Sequence, residues 1–153
     1  DLGLVVLPVS APGLVTRPLR RQQAVCALPR RHRLARRRVV RLEELAEERF
    51  VSLVSGSPFR AFVDQAFAQR GLKRDIRVEV RTQQALAAFV AAGHGVTLVD
   101  PWVAADFADR RIVLRPVEPA IGWDLGLVFP ASRPPALLAE SFADFLVARC
   151  AGG

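Results

Sequence analysis

Apolar and polar positions along the chain alternate between short strand-like runs and helical stripes. Leu2 to Leu7 is an apolar run stopped by Pro8, which predicts a buried strand. Val9 to Pro18, holding Pro12, Gly13 and Pro18, predicts a loop. Gln23 to Leu28 predicts a strand ended by Pro29, Arg30 to Arg38 a basic surface connection, and Arg41 to Glu48 a short helix with Leu42, Leu45 and Ala46 at helical spacing. From Phe50 a strand-then-helix rhythm sets in, which predicts a parallel sheet with right-handed crossovers. Phe50 to Val54 is its first strand. Ser57-Pro58 joins an N-capping residue to a proline at the first helical position. The helix it starts runs to about Arg70, with Phe59, Phe62, Val63, Ala66 and Phe67 on one face, and Gly71 closes it. Ile76 to Val80 alternates as a strand, Thr82 caps a helix carrying Leu86, Phe89 and Val90, and Gly93 ends that helix. Val96 to Val99 is the third strand, and Asp100-Pro101 repeats the cap-and-proline signal for a helix over 102–108.

Ile112 to Pro116 then predicts a strand leaving this lobe, and Leu125 to Phe129 is patterned like the opening run. A terminal helix over about 136–149 is expected to bury Leu137, Leu138, Phe142, Phe145 and Leu146. The two ends of the chain are therefore expected to share a sheet. This gives two lobes joined by extended crossings at roughly 20–28 and 111–117: a partial first lobe from 1–22 and 117–153, and a second lobe from 23–116.

Composition narrows the class. A chain of 153 residues with 51% hydrophobic content is long enough to bury a core as one domain or two small lobes. Arg, Asp, Gly or Pro interrupts every apolar run before the roughly 18 to 20 residues of a membrane span. The start, Asp1-Leu2-Gly3-Leu4, has no basic n-region, no cleavage site and no initiator Met, and reads as a cut into a longer protein. Cys26 and Cys150 make neither a disulfide framework nor a metal site, which suits a reducing cytoplasm. His32 and His94 stand apart from carboxylates and thiols at ligand spacing, so no metal and no cofactor is expected.

The net charge of +7 is uneven. Residues 1–41 carry ten arginines against Asp1 alone, and the remainder carries 12 basic and 14 acidic residues. The cluster has no interleaved aromatic residues and no helix presents it as one face, so it reads as a solvated connection rather than a nucleic-acid surface.

In open parallel α/β sheets ligands bind beyond the carboxyl ends of the strands. That rule selects Ser55-Gly56-Ser57, Arg81-Thr82-Gln83 and Asp100. At the first, backbone N–H groups, two hydroxyls and the positive end of a helix dipole favour an anion. Arg81 adds positive charge, and Asp100 suits an ammonium or guanidinium group. Ser57, Thr82 and Asp100 are equally well read as ordinary N-caps. Gly93-His94-Gly95 precedes its strand and belongs at the opposite edge. The chain has no G-x-S-x-G elbow, no G-x-G-x-x-G opening a helix, no phosphate loop ending in Gly-Lys-Ser/Thr and no acidic pair in a site, so it is not expected to be an enzyme.

Asp1-Leu2-Gly3-Leu4, Leu28-Pro29 with His32-Arg33-Leu34-Ala35, Phe50 to Ser57 with the helix from Arg60 to Gly71, and Leu86 through Val96 together resemble the effector-binding domain of LysR-type bacterial transcriptional regulators. Val99-Asp100-Pro101, Val113 to Pro116 and Phe129-Pro130-Ala131 resemble the branch with the lysine-biosynthesis and opine-responsive regulators. The resemblance implies a two-lobe, periplasmic-binding-protein-like (type 2) α/β fold with a small amino-acid-like or organic-acid effector in the cleft. Ser55 to Ser57, Arg81 and Thr82 would line one wall, and residues near Val6 and Leu7 would face it from the other lobe. It further implies a cytoplasmic homodimer or tetramer, with the helix beginning at Phe59 resembling an interface element. DNA would be bound only through a helix-turn-helix that this chain lacks, and the first half of the first lobe would lie before Asp1. Arg33 replaces the family's proline after the loop histidine. A fragment of a transport-type solute-binding protein is the alternative of the same architecture.

Overall fold

The computed structural model describes residues 2–9, 11–105 and 111–151. Strands β1 (Gly3–Leu7), β2 (Leu14–Gln23), β3 (Val25–Pro29) and β4 (Val40–Arg41) lead into helix α1 (Leu42–Ala46). Then β5 (Arg49–Leu53), α2 (Pro58–Ala68), β6 (Asp75–Val80), α3 (Gln83–Ala91), β7 (Thr97–Val99) and α4 (Pro101–Ala105) alternate. Strands β8 (Ile112–Glu118) and β9 (Gly122–Pro130) and helix α5 (Leu137–Ala151) follow. The helix expected over 102–108 is seen as far as Ala105, and its remainder lies outside the described residues. Contacts divide the chain into two units, residues 23–122 and residues 1–22 with 123–153.

In the 23–122 unit, β3 lies between β7 and β8, antiparallel to both, and β4 lies parallel to β8. Strand β5 pairs in parallel with β6 and reaches β7 through the parallel bridge Phe50 to Val96. Among the described residues of this unit, five strands thus share one direction and β3 alone opposes them. The continuous apolar runs explain this burial: Val51 and Leu53 face one side of β5, Phe50 and Ser52 the other, and all four are buried. Helix α3 covers β3 and β7 with Ala87 and Val90, which pack with Ala27, Val99, Ala104 and Ile112. Burying each of the larger residues contributes about 1.5–3 kcal/mol. Helix α2 turns Phe59, Val63 and Phe67 inward, and the Phe67 ring meets Phe50 edge-on at 6.1 Å. Strand β8 stays in this unit over its length, registered from Pro116 to Ile112 against Val25 to Pro29. Cys26 is wholly buried and its thiol is pushed up by desolvation, which makes it an inert core residue.

The other unit joins the two ends of the chain, with strand order β1-β9-β2 and antiparallel register from Gly3–Val128 to Leu7–Asp124. Two expectations change here. The segment read as a loop to Pro18 is strand from Leu14 onward. Strand β2 is an edge strand with Leu14 to Pro18 exposed, so a proline inside it breaks no inner ladder and its residues lack the alternation of a half-buried strand. Helix α5 forms where expected, but of the five residues assigned to its inner face Leu146 alone packs inward. Leu137 and Leu138 are 81% and 82% exposed, and Phe142 and Phe145 are 49% and 57% exposed. Leu146 packs with Ala143 against Leu127 and Phe129, and the four exposed residues flank that narrow stripe or lie behind it.

Candidate functional site

The parallel pairing fixes which loops are neighbours. Leu53 is registered with Val80, and the Val54 amide donates to the Val80 carbonyl at 2.9 Å, so the loops after β5 and β6 start side by side. On the other flank the Val51 amide donates to the Val96 carbonyl at 2.9 Å, and the Thr97 hydroxyl donates to the Val51 carbonyl at 2.7 Å. The carboxyl ends of β6, β5 and β7 therefore open on one edge, with Arg81-Thr82-Gln83, Ser55-Gly56-Ser57 and Asp100 on successive strands. Gln83 and Asp100 are joined directly, the Asp100 amide donating to the Gln83 side-chain carbonyl at 2.7 Å.

The three capping residues differ. Thr82 Oγ1 accepts from the Ala85 amide at 3.2 Å, and Asp100 Oδ1 accepts from the Trp102 amide at 2.8 Å, so both act as caps. Ser57 holds the N-cap position of α2 and Pro58 follows it, yet its hydroxyl makes no capping bond. Gly56 sits at φ +90°, which turns the loop and leaves Ser55 exposed beside it. The result is a helix N-terminus without a side-chain cap, flanked by two hydroxyls. Arg81 is exposed and has no ion-pair partner among the described residues. Val6 and Leu7 lie in the other unit, half-buried on β1 opposite Leu125 and Asp124.

A supporting cluster behind the loop is absent from the sequence reading. Arg60 donates from Nη1 to the Leu53 carbonyl at 2.5 Å and to Glu79 at 2.8 Å, and from Nε to Asp64 at 2.8 Å. Arg74 also pairs with Asp64. The cluster ties α2 to the ends of β5 and β6 and so holds the Ser55–Ser57 turn from beneath. Its one local signal is the Arg60-to-Asp64 spacing of four residues. Gly93-His94-Gly95 lies at the opposite edge, before β7, with His94 exposed against the Phe89 ring at 5.5 Å. His32, read as isolated, meets Glu48 at 3.2 Å.

Strand order and topology define a mixed α/β module of the periplasmic-binding-protein type 2 class. The regulatory domain of CcmR from Synechocystis PCC6803, solved in complex with 2-PG, has this fold at a TM-score of 0.88 and 20% identity, over 99% of this chain and 74% of that one. A family model described as the LysR substrate binding domain matches residues 1–151, and the chain belongs to that family. It is 31% identical over 148 residues to the transcriptional activator protein LysR of Escherichia coli K12, covering 97% of this chain and 48% of that protein. It is 32% identical over 147 residues to the regulatory protein NocR of Agrobacterium tumefaciens T37, covering 96% of this chain and 49% of that protein. The chain thus spans about half the length of these curated relatives, which are named as regulators. The transport-protein alternative has no support in this match. Among the described residues no helix is long and apolar enough to cross a membrane.

Proposed function

We propose that this chain is the effector-sensing part of a bacterial LysR-type transcriptional regulator and not an enzyme. It takes a small amino-acid-like or organic-acid ligand at the edge formed by Ser55, Gly56, Ser57, Arg81, Thr82, Gln83 and Asp100. The observation that carries this reading is the convergence of three parallel strand ends on one uncapped helix N-terminus, in a chain of this family. An anionic group of the ligand accepts from Ser55 and Ser57 and pairs with Arg81. With Thr82 and Asp100 already engaged as caps, Arg81 and the serines carry the larger share. The intact regulator works in the cytoplasm as a homodimer or tetramer and reaches DNA through a helix-turn-helix outside this sequence. Ligand binding shifts its conformational equilibrium only as far as the affinities for the two states differ.

Thermal-shift screening of the intact regulator against basic amino acids, opines and organic acids tests this. A ligand at about 100 times its dissociation constant adds about 2.7 kcal/mol, which raises the melting temperature by several degrees. Arg81→Ala is expected to weaken that ligand about 10- to 100-fold with little effect on the unliganded melting temperature. No stabilisation by any of these classes at millimolar concentration sinks the effector assignment. An unchanged affinity in Arg81→Ala removes Arg81 from the site.

A further inference from the structure

The arginine-rich tract separates, once folded, into two populations. Arg33 pairs with Glu47 and Glu48, Arg37 with Glu44, and Arg41 with Glu43, the four bonds spanning 2.6–3.6 Å. These pairs fasten the turn at Arg33–Arg36 to α1 and the residues after it, so their charge is largely cancelled. Arg30, Arg31 and Arg36 have no acidic partner among the described residues. With Pro29, His32, Ala91 and Arg111 they line an open concavity of 730 Å³. Among the described residues, no acidic side chain and no Phe or Trp belongs to that lining.

The location separates it from the effector edge. Pro29 is registered with Ile112 at the end of β3, and the Arg30 amide donates to the Arg111 carbonyl at 2.8 Å. Strand β3 opposes the five others, so its carboxyl end lies at their amino ends, across the sheet from Ser55, Arg81 and Asp100.

We propose that this concavity is a second binding site, for a small polyanion bearing two or more phosphate or carboxylate groups. Three guanidinium groups around one hollow present planar pairs of donors that match such groups. Its volume suits a metabolite-sized ligand. The hollow shape favours a compact anion over an extended nucleic acid strand. Neutralisation of the neighbouring arginines leaves the positive field concentrated here.

Inorganic pyrophosphate is the probe, titrated calorimetrically into the 153-residue chain at about 0.15 M salt, where charges farther apart than about 8 Å are screened. The double variant Arg31→Gln/Arg36→Gln is expected to weaken binding by about 10-fold or more, each lost charge-assisted contact contributing several-fold. Arg38→Gln, an exposed charge of the same tract outside the lining, is expected to change it less than about 2-fold. The side chains exchanged are exposed, and matched thermal unfolding of each variant establishes that the fold is kept. Absence of saturable binding at about 10 mM overturns the proposal, as does an equal loss in Arg38→Gln, which would reduce the effect to diffuse charge. Duplex DNA that binds more tightly than pyrophosphate, with the same sensitivity to Arg31 and Arg36 and a steep salt dependence, makes nucleic acid the occupant and also overturns it.

Discussion

Replacing Gly95 with alanine is expected to destabilise the protein by about 4 kcal/mol, combining backbone strain with a steric clash. Gly95 has φ +154°, and a β-carbon built there collides with the backbone carbonyl of Arg49. The collision cannot be relieved by a rotamer change, because the obstacle is main chain held in the ladder. That same Arg49 carbonyl accepts from the Val96 amide at 2.9 Å, and the Val96 carbonyl accepts from Val51 at 2.9 Å. Backing β7 away from β5 therefore breaks the two backbone hydrogen bonds of the Phe50–Val96 bridge and moves Asp100 relative to Ser55. The melting temperature should fall by about 10 °C, with loss of the ligand response proposed above. Gly93→Ala is the internal comparison. Gly93 is at φ +82° with nothing within 4 Å of the added carbon, so only the conformational cost of about 1 kcal/mol applies. Denaturant unfolding of the two variants side by side checks this, and equal losses would sink the steric account.

Arg74 gives the second large effect. Its guanidinium lies 4.9 Å from the centre of the Phe50 ring and 5.1 Å from that of Phe67, and its side chain is 4% exposed. Burial first, and the neighbouring Arg60 cation second, push it down to about 10, against the pull of Glu79, so it remains charged at neutral pH. Asp64 pairs with it, while Nη1 is buried without a hydrogen-bond partner. Arg74→Ala removes two ring contacts and leaves a cavity beneath α2, an expected loss of about 3 kcal/mol. Arg74→Met keeps the volume and a favourable sulfur contact with the rings while removing an incompletely satisfied buried charge. It is expected to stay within about 1 kcal/mol of the parent. Equal losses in both variants, measured by denaturant unfolding, would make the ion pair with Asp64 the dominant interaction instead.

Much of the 23–122 unit was legible because its signals are local. Ser57-Pro58, Asp100-Pro101, Gly71 and Gly93 mark helix ends through backbone chemistry that operates within a few residues. The apolar runs at Phe50 and Val96 mark strands buried on both faces. Strand β2 was illegible for the opposite reason: exposed at an edge, it is made a strand by β9, over a hundred residues away in sequence. Helix α5 was legible as a helix, but spacing says which side chains share a stripe, not which stripe meets a partner. Leu138, Phe142 and Phe145 share one, and Ala143 with Leu146 took the contact. For the candidate site, strand ends could be listed from sequence, whereas their adjacency needed the parallel register. The Arg60, Asp64, Arg74 and Glu79 cluster has no local signature at all beyond one pair, since it joins a helix to two strands.

The 23–122 unit is continuous in sequence, whereas the other is assembled from two separate stretches. Strand β1 pairs with β9, Gly3 meeting Val128. On a ribosome adding about 5–20 residues per second, β9 is made several seconds after β1. The six-stranded sheet can meanwhile close around contacts of shorter separation, which form faster. Synthesis order therefore builds the proposed sensing edge before β1 and β9 are joined.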